Sequence, residues 1–242
     1  MANMEPEYSI IVPAHNEART IGIVLEALCQ TNASEIIVID DGSIDNTREI
    51  VLSKKDARIA YILHTHNLGQ GNAWKTGIQH AKCPILVFFD ADIQTAAPEM
   101  IVSLVAPIIK GEADFVIGGF ENFGRITEYL VRPILRRLVP ELSNISQPLS
   151  GLFAIRREFI YPYKIGERYI TSGIVLDAYF SKARIKDVNL GRILHDKRSD
   201  LEKTYQANSE CEILLRKLVE YKVINIIPSS AKINTSNAYA TR

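Results

Sequence analysis

The stretch Ile85-Leu86-Val87-Phe88-Phe89-Asp90-Ala91-Asp92 decides the fold. Five apolar residues in a row, held off from what precedes them by Pro84, predict a short strand buried on both faces, as in a parallel sheet. The run breaks off in two carboxylates at i and i+2. On a continuing strand these would share one face. At a strand end, where the chain turns, both can reach one site at the carboxyl edge of the sheet, where open α/β folds hold their ligands. Paired hard oxygen donors suit Mg²⁺ or Mn²⁺, which takes one or two carboxylates and leaves its other positions to water and phosphate oxygens. Asp90 and Asp92 would serve equally as caps for the next helix, and the triplet alone does not separate the two roles.

Upstream, the same grammar repeats. Tyr8-Ser9-Ile10-Ile11-Val12 is a strand that Pro13 is expected to end, followed by Ala14-His15-Asn16-Glu17. Thr20 then stands as a cap for a helix with Ile21, Val24, Leu25 and Leu28 on one face. Glu35 to Ile39 is a second strand, ending in Asp40-Asp41-Gly42-Ser43, which is turn chemistry. A polar helix from Asp45 to Lys54, a strand over Ala60 to Leu63, the turn Asn67 to Gly71 and a helix over Asn72 to Ala81 complete the approach. Strand-then-helix units in this order mean a doubly wound, mostly parallel sheet.

Downstream, Pro98 opens a helix running to Lys110, and Phe115 to Gly118 is a further strand. Beyond Gly119 the pattern loosens. A helix over Thr127 to Leu138, a strand over Leu152 to Ile155 and a helix over Ile174 to Ala183 are expected, then Ile185 to Asn189 leading to His195. A long helix covers Leu201 to Tyr221, and the tail after Pro228 is small and polar.

The 242 residues carry 28 basic and 28 acidic side chains, which leaves no global field to draw nucleic acid or an anionic membrane. Cys29, Cys83 and Cys211 are odd in number and lack C-x-x-C spacing, so they read as reduced thiols. With no leader pattern and no apolar run of about 18 residues, the expected location is cytoplasmic, with no integral membrane segment.

His15-Asn16-Glu17, Asp40-Asp41-Gly42-Ser43, Gly69-Gln70-Gly71 and Asp90-Ala91-Asp92 each follow a strand, and so converge on one sheet edge. Together they resemble the GT-A-type glycosyltransferases, which use nucleotide-activated sugars. The resemblance implies a GT-A-type (Rossmann-like) α/β fold. It makes Pro13, Ala14, His15, Glu17, Asp40, Asp41, Gly69, Gln70, Gly71, Asp90 and Ala91 the nucleotide-binding residues, with Asp92 on a metal bridging the diphosphate.

The second half narrows the resemblance. Gly124-Arg125-Ile126-Thr127-Glu128, Arg132-Pro133, Pro140-Glu141-Leu142, Gln147-Pro148-Leu149-Ser150-Gly151 and Val188-Asn189-Leu190-Gly191 followed by His195 look like the glucosyl-3-phosphoglycerate synthases and their mannosyl relatives. That likeness implies that His195 completes the metal site with Asp92. It also implies that Gly124, Arg125, Ile126 and Thr127 grip the acceptor's phosphate or carboxylate, and that the turn Leu149-Ser150-Gly151 lies beside the anomeric centre.

The chain departs from the family at four places, one of them a pair of residues. Gln70 replaces a lysine, Leu152 an acid, and Val175 the acid of a Gly-Val-Glu segment, for which Asp177 is the nearest substitute; Asp196-Lys197 replaces Arg-Asn. Asp92, Leu149, Ser150 and Asp177 are thus the expected catalytic set. Lys197 joins the acceptor-binding residues, because an ammonium gains most from a full anion.

The chain accordingly divides into residues 1–119, which hold the nucleotide sugar, residues 120–227, an acceptor-binding part of the same domain, and a disordered tail over 228–242. The expected reaction moves a hexose from a UDP- or GDP-sugar to a small anionic hydroxy acid such as 3-phosphoglycerate, with retention and with a divalent metal. Tyr129, Leu130 and Ile134 offer a surface for a homodimer. The rival readings are a polyprenyl-phosphate sugar transferase and a sugar-nucleotide-binding protein without turnover. A sugar-1-phosphate nucleotidyltransferase is disfavoured, because its glycine- and arginine-rich first loop is absent.

Overall fold

A computed structural model describes residues 7–121, 124–167, 171–195 and 200–225. In chain order these form β1 (Tyr8–Ala14), α1 (Ile21–Cys29), β2 (Glu35–Asp40), α2 (Thr47–Ser53), β3 (Ile59–Leu63), α3 (Gln70–His80) and β4 (Ile85–Phe88). There follow α4 (Pro98–Ile109), β5 (Phe115–Gly119), a π-helical turn (Thr127–Val131), α5 (Arg132–Leu138), β6 (Phe153–Arg156), α6 (Thr171–Phe180), β7 (Ile185–Asn189) and α7 (Asp200–Glu220).

The strands make one seven-stranded sheet in the order β3-β2-β1-β4-β6-β5-β7. All neighbours are parallel except β6, which runs antiparallel to both β4 and β5. This is the α/β, mostly parallel architecture that the alternation of buried strands and polar turns implies. Strand order reverses between β1 and β4, so the crevice for a ligand opens beyond their carboxyl ends.

The central strands are buried on both faces, which explains their continuous apolar runs. Ile10 and Val12 pack with α1 and α4 on one side. Ile11, Ile37 and Ile39 pack on the other with α3, α5, α6 and α7. There Phe88 and Phe153 face each other across β4 and β6, rings stacked at 4.4 Å, with the edge of Trp74 5.2 Å and 5.4 Å away.

Several boundaries differ from expectation for identifiable reasons. Pro13 lies inside β1, not beyond it. Its missing N–H points to the β4 side, as the Ile11 carbonyl does, and β4 ends opposite Ile11, so no ladder bond is lost. Thr20 does not cap α1; its hydroxyl donates back to the Glu17 carboxylate at 3.0 Å. α2 begins at Thr47, because the Asp45 carboxylate takes the Thr47 N–H and hydroxyl. α3 begins at Gln70, which places Gln70 and Gly71 in its first turn. The expected helix over Thr127 to Leu138 is two pieces. The Arg132 N–H reaches back to the Thr127 carbonyl, a π-type bond, just before Pro133, which has no N–H to give.

Candidate active site

At the carboxyl ends of β1 and β2 the chain is fastened by its own polar groups. Asn16 adopts a left-handed φ of 59°, which places its side chain between two neighbours. Its amide nitrogen donates to His15 Nε2 at 3.1 Å and its oxygen accepts the Ile44 N–H at 2.9 Å. His15 Nδ1 in turn donates to the Asp41 carbonyl at 2.9 Å, which leaves Nε2 to accept from Asn16. The buried Asp41 carboxylate accepts from the Leu68 and Gly69 N–H groups at 2.9 and 2.8 Å and contacts His64 Nδ1 at 2.7 Å. It thereby ties the loop before α3 to the end of β2.

A cavity of about 420 Å³ lies over these groups. Pro13, Ala14, His15, Glu17, Asp41, Gly69, Gln70, Asp90, Ala91 and Asp92 line it, as does Tyr205 from α7. Two residues expected here stand elsewhere. Asp40 is spent on the Ser43 N–H at 2.8 Å and the Tyr61 hydroxyl at 2.6 Å, and burial and then this bond keep the Tyr61 phenol protonated far above its usual range. Gly71 turns to the chain at residues 166–167: its N–H bonds the Glu167 carbonyl at 2.7 Å, and a Cβ would collide with the Gly166 carbonyl. Its glycine serves a close backbone approach, not a phosphate cradle.

A second cavity, of about 900 Å³, adjoins the first. Asp90 and Asp92 line both. Gln70 Nε2 donates to Asp90 Oδ1 at 3.0 Å from one side. From the other side Gly151 presses on the same carboxylate, which occupies the space of its missing Cβ. Gly124, Arg125, Ile126, Thr127, Leu149, Ser150 and His195 line this cavity too. His195 arrives through a bridge with Ile93, secured by the Gln94 N–H on the Leu194 carbonyl at 2.8 Å. That bridge carries a histidine remote in sequence to the residue beside Asp92. Ser150 is buried, with its hydroxyl engaged by the Leu152 N–H and carbonyl at 3.1 and 3.3 Å.

Asp177 lines neither cavity, which corrects its expected catalytic place. It is buried against Lys217 Nζ at 2.7 and 2.9 Å and the Tyr221 hydroxyl at 2.6 Å, with Lys164 at 3.8 Å. A buried carboxylate needs such partners, and two of them come from α7 and the residue after it, some forty residues on. Burial, then the bond to Asp177, pushes the Tyr221 phenol up to about 12. Leu152, where the family has an acid, is an apolar core residue. Lys197 lies outside the described residues.

The site also contains residues that the sequence did not single out. Gln147, Phe120, Ile193 and the α7 residues Thr204, Gln206 and Asn208 line the second cavity. Gln147 opens the quoted Gln-Pro-Leu-Ser-Gly run and was within reach of a sequence reading. The α7 residues carry no motif, and the packing of α7 on α6 and on the π-helical turn brings them in.

The sequence profile of glycosyl transferase family 2 matches residues 9–185, which takes in β1 to the start of β7 and the carboxylate pair. The chain belongs to glycosyl transferase family 2. As a family 2 protein it is a glycosyltransferase. It is 30% identical over 219 residues to glucosyl-3-phosphoglycerate synthase of Mycobacterium tuberculosis (strain ATCC 25618 / H37Rv), covering 78% of this chain and 67% of that one. The Petrotoga mobilis enzyme of the same name is 28% identical over 250 residues, covering 90% of this chain and 75% of its own. In three dimensions this family 2 transferase matches the crystal structure of the M. tuberculosis synthase in complex with Mn²⁺ and UDP-glucose. The TM-score is 0.78 at 28% identity, covering 88% of this chain and 79% of that one. The M. tuberculosis enzyme has also been solved with Mg²⁺ and UDP, and with Mn²⁺, UDP-glucose and phosphoglyceric acid.

Proposed function

We propose that this family 2 transferase moves a hexose from a nucleoside-diphosphate sugar to a small anionic hydroxy acid such as 3-phosphoglycerate, with a divalent cation and with retention of anomeric configuration. One observation carries the reading: Asp90 and Asp92 line both cavities. A diphosphate held in the first and an acceptor hydroxyl held in the second therefore meet over the same carboxylates. The substrates of the M. tuberculosis synthase, which divide in the same way into a nucleotide sugar and a phosphorylated acid, support the assignment.

The residues present fit a cation. Asp92 offers a carboxylate oxygen and His195 an imidazole nitrogen on one cavity wall. Among the described residues no three His, Cys, Asp or Glu side chains group to enclose a metal, so this pair suits an ion that fills its shell with diphosphate oxygens and water. The imidazole favours Mn²⁺ over Mg²⁺. When bound, such an ion offsets the charge gathering on the departing diphosphate.

The protein's own groups do the rest. The His15 ring, held by its two hydrogen bonds, and the tethered Asp41 shape the nucleoside end of the first cavity. Arg125 brings a planar fork of donors for an acceptor oxyanion, and Gly124 beside it has nothing within 4 Å of where its Cβ would stand. Ser150 has its hydroxyl tied to the Leu152 backbone and Asp177 is locked in an ion cluster. Neither stands ready as a nucleophile, which supports front-face attack guided by leaving-group oxygens.

Calorimetry of UDP binding with and without Mn²⁺ tests the centre of this reading. Asp92→Ala should abolish the metal-dependent part of the affinity, and His195→Ala should weaken it, both with the wild-type melting temperature. Undiminished metal dependence in both variants would remove the site. Turnover of UDP-glucose with 3-phosphoglycerate, followed by the anomeric signal in NMR, tests the reaction and its stereochemistry.

A further inference from the structure

Gln147 is only 3% exposed, yet it lines the second cavity. Its side-chain oxygen accepts the Thr127 hydroxyl at 3.0 Å. A carboxamide has two N–H donors besides that oxygen. The Gln147 nitrogen meets no hydrogen-bond partner among the described residues, and its side chain lines the cavity. A donor sunk this deep is costly to leave unpaired and gains most from an ionised acceptor. Thr127, meanwhile, has a single hydroxyl proton and sends it to Gln147. It cannot also donate that proton to an anion.

We infer that Gln147 binds the acceptor directly, its amide N–H groups donating to an acceptor oxyanion, while Thr127 acts as the positioning residue that aims the amide. Arg125, two residues before Thr127, supplies the charge on the same wall; Gln147 supplies a fixed, neutral donor. The inference rests on the proposed transfer to an anionic acceptor, and it adds Gln147 to the wall that Thr127 already lines. The π-turn fits this role, because the bond from Arg132 N–H to the Thr127 carbonyl holds Thr127 at the point where its hydroxyl meets Gln147.

The test is calorimetric titration of 3-phosphoglycerate into the protein loaded with UDP and Mn²⁺. Gln147→Met, similar in shape but without donors, should bind the acceptor about ten- to a hundredfold more weakly with UDP affinity unchanged. Gln147→Glu keeps the Thr127 bond but faces the anion with a carboxylate, and should bind more weakly still. If the Met variant does not fold, the Glu variant carries the test alone. Thr127→Val should show a smaller loss, and Thr127→Ser should restore it. Glycerate and glycerol 3-phosphate identify the bound group: the compound lacking it should bind wild type and Gln147→Met alike. Equal affinity of wild type and Gln147→Met for all three compounds, or wild-type affinity in Gln147→Glu, overturns the inference and leaves the proposed function standing. Failure of the wild type to bind any of the three overturns both.

Discussion

Asp90 is clasped between the Gln70 amide and the bare α-carbon of Gly151, and that clasp sets the floor shared by both cavities. A methyl group at 151 would occupy the place of the carboxylate itself. Gly151→Ala should therefore leave the protein folded but displace Asp90. A misplacement on the scale of an ångström costs about a hundredfold in rate, which kcat/KM for UDP-glucose would read while the melting temperature serves as control. Arg125→Ala should act on the other substrate. Losing a charge-assisted bond raises the acceptor KM about ten- to a hundredfold, and UDP affinity should not move; an equal loss of UDP affinity would show that Arg125 serves the donor. That Asp41, Asp90 and Asp92 come to line the cavities was legible in the sequence, because each follows a buried apolar strand at the carboxyl edge of the sheet. Asp40 and Asp177 were misjudged for one shared reason. Each is satisfied by a partner from another element, Tyr61 on β3 and Lys217 on α7, and spacing along the chain does not reveal such partners.

Helix α7 forms the outer wall of the site, with Tyr205 over the first cavity and Asn208 over the second. It is held to α6 by two buried polar contacts, Ser172 on Glu210 at 2.5 Å and Lys217 on Asp177. Without Asp177 the buried Lys217 ammonium keeps only the exposed Glu220 carboxylate, 3.3 Å away, as a charge partner among the described residues. Asp177→Asn should cost about 3 to 5 kcal/mol of stability, measured by denaturant unfolding. The double variant Asp177→Leu/Lys217→Met should recover most of that loss, since an apolar pair of similar volume dispenses with the desolvation penalty. Strand β6 illustrates the limit of pattern reading at this scale. Leu152 to Ile155 announces a buried strand, but an apolar run carries no sign of its direction, and only its pairing with Phe88 and Ile117 makes it antiparallel.

Across the whole molecule, the edge opposite the site is closed by Asp114 at the start of β5 and Arg184 before β7, bonded through both carboxylate oxygens at 2.7 and 2.8 Å. The Arg184 hydrogen bond holds the Asp114 carboxyl down at about 2, against an ordinary value of 3.8. A carboxyl depressed on folding stabilises the protein above its unfolded value. That contribution is complete above about pH 4 and fades as pH falls toward 2. Asp114→Asn should flatten the stability curve over that window and leave both substrate KM values unchanged, because the clamp lies a full strand length from the cavities. The antiparallel β6 has a different kind of consequence. Since β5 ends and β6 begins at the same sheet edge, sealed by the Gly118 N–H on the Leu152 carbonyl at 2.8 Å, residues 120–152 leave and re-enter the sheet side by side. Val131, Leu135, Val139, Leu142 and Ile145 anchor that excursion in the core, whereas the entropy of closing a loop rises only slowly with its length, so insertions at its exposed turns should leave the pairing of β5 and β6 intact.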